Sequence, residues 1–138
     1  MSDVTPMNGV ETLTERNLGA LVDRFYAKVR ADDILGPVFN PAVSDWPEHL
    51  EKLTHFWSSI MLTSGKYHGN PMAAHYKHLL RITPEMFTRW LKLWSETTAE
   101  VVPHAAPALQ DKAARIAESL KLALFFRLPA AQRPKTAA

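Results

Sequence analysis

Helical periodicity runs along this chain with no competing strand signal, and that most narrows what it can fold into. Leu18, Leu21, Val22, Phe25, Tyr26 and Val29 recur at steps that bring side chains to one face of an α-helix. A stop is expected near Ala31-Asp32-Asp33, followed by a short helical turn from Ile34 to Phe39 and a break at Asn40-Pro41. Asp45 and Glu48 then form a capping-box pattern with Pro47 in the first turn. The helix beyond carries Trp46, Leu50, Leu53, Trp57 and Ile60 on one face, with His49 on an overlapping one. Gly65 and Gly69-Asn70-Pro71 are expected to end it and start a shorter piece bearing His75. Thr83-Pro84 reads as a cap and first helical position, ahead of a stripe formed by Phe87, Trp90, Trp94, Thr97 and Val101 that stops before Pro103. A last helix aligns Leu109, Ala113, Ile116, Leu120 and Ala123. The expected fold is all-α, a helical sandwich that can hold a ligand between facing helices.

A chain of 138 residues supports one domain with a sizeable core. Residues 1–12 and 128–138 lack periodicity and mix Pro, Ala and charge, so they are expected to be flexible extensions around a domain at 13–127. No cysteine is present, which excludes disulfide frameworks, thiolate metal sites and cysteine nucleophiles. The formal net charge is only +2 and the cations are scattered, so nucleic acid is not an expected partner. There is no apolar run of membrane-spanning length and no signal-like start. The expectation is a soluble, cytoplasmic monomer without a membrane partner.

Chemistry concentrates between His55 and Trp94, a segment holding four of the six histidines, three of the four tryptophans and two of the three tyrosines. His75 stands there among small and apolar neighbours, the setting of an axial ligand offered to a flat apolar cofactor such as haem. Taken alone it reads more often as a solvated or core histidine. His75 and His78 could pair on a helix face for zinc, but no third ligand follows at a recognised spacing and HExxH is absent. Neither a Ser-His-Asp signature nor a Gly-rich phosphate loop occurs. The main reading without a cofactor is a helical interaction module anchored on Trp46, Trp57, Trp90 and Trp94.

Several motifs follow one another in a familiar order. They are FYAKVR from Phe25, LGPVF ending at Phe39, the W-x-x-H of Trp46 and His49, Phe56-Trp57, YHGNPMAAH ending at His75, and FTRWLKLW containing Trp90. Over about residues 15–125 this resembles a truncated haemoglobin, with group III the nearest in pattern. The resemblance implies a two-over-two helical sandwich around one haem b.

It implies His75 as the proximal iron ligand, through a neutral imidazole oriented by a hydrogen bond at its other nitrogen. Tyr26 matches the distal tyrosine, whose buried O–H stabilises partial negative charge on a bound ligand. Trp90 matches an indole that walls the pocket and donates to the ligand or to Tyr26. Phe39 resembles the phenylalanine stacked on haem, and Leu53 and Phe56 are expected to complete the distal wall. For His49 three roles stay open: a gate, a hydrogen-bond donor, or a sixth iron ligand. Tyr67, His68, Lys77, His78 and Arg81 are candidates for holding the propionates.

The function implied is reversible binding of O2, NO, CO or other small ligands. Oxygen held by strong hydrogen bonds suits redox chemistry better than delivery, so nitric oxide dioxygenation and peroxidase-like turnover are both expected readings, each needing an unknown reductase. Sensing or storage is the alternative.

Overall fold

The computed structural model describes residues 13–69, 75 and 81–125, and every regular element among them is a helix. They are α1 (Glu15–Ala31), α2 (Gly36–Ala42), α3 (Trp46–Leu62), α4 (Pro84–Val101) and α5 (Ala106–Phe125). The His75 backbone is also helical. The expected N- and C-terminal extensions lie outside the described residues.

Helix α1 is the centre of the packing. All six of its stripe residues are buried, from Leu18 to Val29, and it packs against α2, α3 and α4, while α4 packs against α5. Withdrawing each such Leu, Val or Phe from water contributes about 1.5–3 kcal/mol. The main core joins Leu18, Leu21, Phe25 and Val29 to Trp57 of α3, Leu93 and Trp94 of α4, and Leu109 and Ala113 of α5. A smaller cluster of Phe87, Ala117, Leu120 and Leu124 fastens α4 to α5. Among the described residues no helix is long and apolar enough to cross a membrane.

Caps fix the helix starts. Thr14 accepts a hydrogen bond from the Asn17 backbone N–H at 3.1 Å, and Asp45 accepts one from that of Glu48 at 3.1 Å, satisfying donors that helix geometry leaves without partners. Thr83 precedes α4 without a side-chain cap bond, so Pro84 at the first position provides the start there.

Two boundaries differ from the sequence expectation. Asn40-Pro41 does not break the chain, because Pro41 lies inside α2, which runs on to Ala42. Pro41 is the sixth of the seven helix residues, and the bond it forgoes is to the Pro37 carbonyl, which instead accepts from the Arg81 guanidinium at 3.3 Å. Helix α3 ends not on a glycine but on Thr63, in the left-handed region at φ 53°, with its N–H donating to the Ser58 carbonyl. Gly65, at φ 72°, follows two residues later.

The corner between α1 and α2 is tightly built. A Cβ on Gly36 would stand 2.8 Å from the Arg30 carbonyl oxygen, so this position requires glycine. Beside it, the Asp32 carboxylate accepts from the backbone N–H groups of Ile34 at 3.0 Å and Leu35 at 2.9 Å through one oxygen. Its other oxygen accepts from the Arg89 Nε at 2.8 Å and Nη2 at 2.6 Å. This joins the α1–α2 corner to α4 one residue before Trp90.

Candidate haem pocket

Tyr26 is the deepest polar side chain of the candidate site, with a relative exposure of 4%. Burial pushes its hydroxyl up to about 12, an effect moderated by a hydrogen-bonding interaction with the Trp90 indole. An indole can only donate, so in this interaction the Tyr26 oxygen is the acceptor. Phe25 braces this pair from behind, edge-on to Tyr26 at 4.7 Å and to Trp90 at 5.4 Å between ring centroids.

Three further rings surround the Tyr26 ring. Phe39 of α2 stands 5.9 Å from it, Trp46 at 6.2 Å and His49 at 6.4 Å, the last two one turn apart on α3. Trp46 meets the His49 imidazole edge-on at 5.6 Å and carries the Arg30 guanidinium over its ring at 4.5 Å. An open groove of about 640 Å³, lined by Ala27, Arg30, Ala31, Asn40, Val43 and Trp46, shares Trp46 with this cluster. The groove is a surface feature whose lining includes neither Tyr26, Trp90 nor His75.

His75 is half-buried, and its charge is felt by His49. The His49 imidazole is held below its ordinary value first by burial, then by the charges of Lys52 and His75. The two histidines therefore share one electrostatic neighbourhood although they are far apart in sequence. Phe39, Trp46, Leu53, Phe56 and Trp90 are all partly buried and packed against the core, and of these Phe39, Trp46 and Trp90 stand against Tyr26.

These residues fit a haem. An imidazole donor, flat apolar rings and one buried hydroxyl form a donor set that suits an iron porphyrin with a polarisable ligand. Among the described residues no three His, Asp or Glu side chains gather as ligands for a lone ion.

The propionate candidates are dispersed. Tyr67 is half-buried with its ring edge-on to Phe56 at 5.1 Å, and its backbone N–H donates to the Ser59 hydroxyl at 3.0 Å. Arg81 is exposed and donates to the Pro37 carbonyl at 3.3 Å, and His68 is also exposed. Lys77 and His78 lie outside the described residues. Sequence reasoning missed Asp32 and Arg89, whose ion pair sits beside the pocket. Asp32 at a helix end was visible as a turn residue, but nothing marked a partner 57 positions away.

The sequence model of the family described as bacterial-like globin matches residues 13–125, and the chain belongs to that family. It is similar to a group 3 truncated hemoglobin of Campylobacter jejuni, with 38% identity over 91 residues, which are 63% of this chain and 71% of the relative. The crystal structure of the group III truncated hemoglobin from the same organism superposes with a TM-score of 0.75 at 34% identity, over 86% of this chain and 97% of that one. The fold and the group III resemblance expected from the motifs are thereby borne out. Membership implies a haem cofactor and the binding of small ligands.

Proposed function

We propose that this chain binds one haem b through the His75 imidazole and takes O2, NO or CO beneath Tyr26 and Trp90. When bound, the haem supplies an iron centre that coordinates such ligands and exchanges electrons with them. The observation carrying this reading is the buried Tyr26 hydroxyl, met by an indole that can only donate and so left with its hydrogen for the ligand. Trp90 orients the phenol, and Phe39, Leu53 and Phe56 exclude water. Exclusion of water strengthens any hydrogen bond formed there.

A donor of this kind retains oxygen and polarises it. That favours redox turnover, nitric oxide dioxygenation or peroxidase-like chemistry with an external reductase, over release on demand. His49 sits at the edge of the ring cluster between Trp46 and Tyr26 and acts as a gate. Its depressed basicity keeps it neutral near pH 7, so it can swing without carrying a charge.

The test is the visible spectrum of purified protein titrated with haemin, ferric and then reduced, beside His75→Gly. A one-to-one Soret band that changes in the variant and is restored by imidazole supports the reading. Folded protein that takes up no haemin refutes it.

A further inference from the structure

The tryptophans expected to serve as packing anchors form an ordered series. Trp90 stacks on Trp94 with the rings 3° from parallel and 5.8 Å between centroids. Trp94 stacks on Trp57 at 18° and 4.5 Å. Trp57 meets Phe56 edge-on at 5.5 Å, and Phe56 meets Tyr67 edge-on at 5.1 Å. One end of the series faces Tyr26 in the ligand pocket. The other, Tyr67, is half-buried and reaches solvent through its exposed part. Trp57 and Trp94 are fully buried between those ends.

Indoles and phenols are the side chains most readily oxidised by one electron in a chain with no cysteine. Electron transfer between rings falls off steeply with the gap, so rings in contact conduct where separated ones do not. Packing alone does not call for two consecutive near-parallel indole stacks, because aromatic pairs in cores are equally content edge-on. The second stack is held in place, since the Trp94 indole N–H donates to the Leu109 carbonyl at 3.1 Å.

We infer that Trp90, Trp94, Trp57, Phe56 and Tyr67 form an electron route between the ligand pocket and the surface, with a hydroperoxide as oxidant and small phenols as reductant. This rests on the haem reading above. A hydroperoxide bound in the pocket accepts two electrons and two protons as its O–O bond breaks, giving water and an alcohol. Each electron leaves Trp90 and is replaced in turn from Trp94 and Trp57. Phe56 is not itself oxidised and bridges Trp57 to Tyr67. Tyr67 supplies the electron and loses its phenolic proton to water, becoming a neutral tyrosyl radical. A phenol in solution then gives Tyr67 a hydrogen atom, restoring its O–H bond. Two such passages balance one hydroperoxide reduced against two phenols oxidised to phenoxyl radicals.

The experiment uses haem-loaded protein mixed with hydrogen peroxide. Freeze-quench electron paramagnetic resonance and peptide mass spectrometry of spin-trap adducts are read per haem, as counted from the Soret band. A tyrosyl signal and an adduct on Tyr67 are expected in the wild type. The signal is lost in Tyr67→Phe, and the Tyr67 adduct falls in Trp94→Phe and again in Trp57→Phe. Near-UV circular dichroism of each variant reports whether its core remains packed. A Tyr67 adduct undiminished in folded Trp94→Phe and Trp57→Phe overturns the route, as does a wild-type radical confined to Tyr26. Absence of a Soret band refutes the haem reading instead, so the two failures are distinct.

Discussion

Replacing Tyr26 by Phe removes one oxygen from a nearly dry pocket, and the consequence can be worked from its surroundings. Tyr26 is 4% exposed, so a hydrogen bond to a partly charged ligand there contributes about 1–3 kcal/mol. At about 1.4 kcal/mol per tenfold, that is roughly a tenfold to hundredfold rise in oxygen dissociation rate. The variant also leaves the Trp90 N–H without its acceptor, and that donor can turn to the ligand. The single substitution should therefore fall near tenfold, and Tyr26→Phe with Trp90→Phe near a hundredfold. Stopped-flow displacement of oxygen by carbon monoxide measures both rates. A single-variant rate within about twofold of wild type, the ordinary scatter of an independent site, would refute the claim that this hydroxyl holds the ligand. The same residue predicts an alkaline signature. Its folded-state value of about 12 exceeds the unfolded value of about 10, so its neutral form favours the fold. That contribution is complete below about pH 10 and is lost as pH rises through about 12, by roughly 2–3 kcal/mol. Tyr26→Phe should lack this component of alkaline unfolding.

Three other substitutions probe different parts of the molecule. Arg89 holds the Asp32 carboxyl below the usual carboxylate range, with the Leu35 and Ile34 N–H groups assisting. Its stabilising contribution is therefore present above about pH 4 and lost as pH falls through the lowered folded value. Asp32→Asn should flatten acid denaturation followed by circular dichroism, and an unchanged acid limb would show that this pair is not linked to folding. Thr63→Gly should raise stability by about 1 kcal/mol in urea, because the left-handed backbone strains a β-branched residue; a lower midpoint would show that the Thr63 side chain contributes more than its strain. His49→Leu should speed carbon monoxide association after flash photolysis if the imidazole is the gate, and an unaltered rate would place the barrier elsewhere.

The features legible in the sequence were those set by local spacing. The stripe from Leu18 to Val29 is the buried face of α1, and Asp45 caps α3 as its spacing to Glu48 indicated. Tyr26, Phe39, His49 and Trp90 do converge on one place, which the motif order implied and periodicity alone could not. The positions hidden from the sequence depended on three-dimensional approach. Pro41 is tolerated in the last turn of α2 because the Pro37 carbonyl it leaves without a helical donor accepts from Arg81, distant in sequence. Thr63 takes a conformation its side chain disfavours because the Ser58 carbonyl offers a closing bond. Spacing placed Trp90 and Trp94 on one face of α4, but the 3° alignment of their rings depends on side-chain torsions that sequence does not encode locally.

Arg89 and Trp90 are consecutive, yet one reaches the α1–α2 corner and the other the Tyr26 hydroxyl. The ion pair to Asp32 thus acts as a locating pin that sets the rotational phase of α4 from outside the pocket. Any turn of α4 about its axis that would swing the Trp90 indole away from the phenol must first pull two guanidinium nitrogens off a carboxylate that also ties down the start of α2. On the haem reading proposed above, the residue at position 90 can consequently be exchanged to retune ligand chemistry while the helix keeps its angular setting, which makes it a tractable place to alter this pocket without recutting the fold.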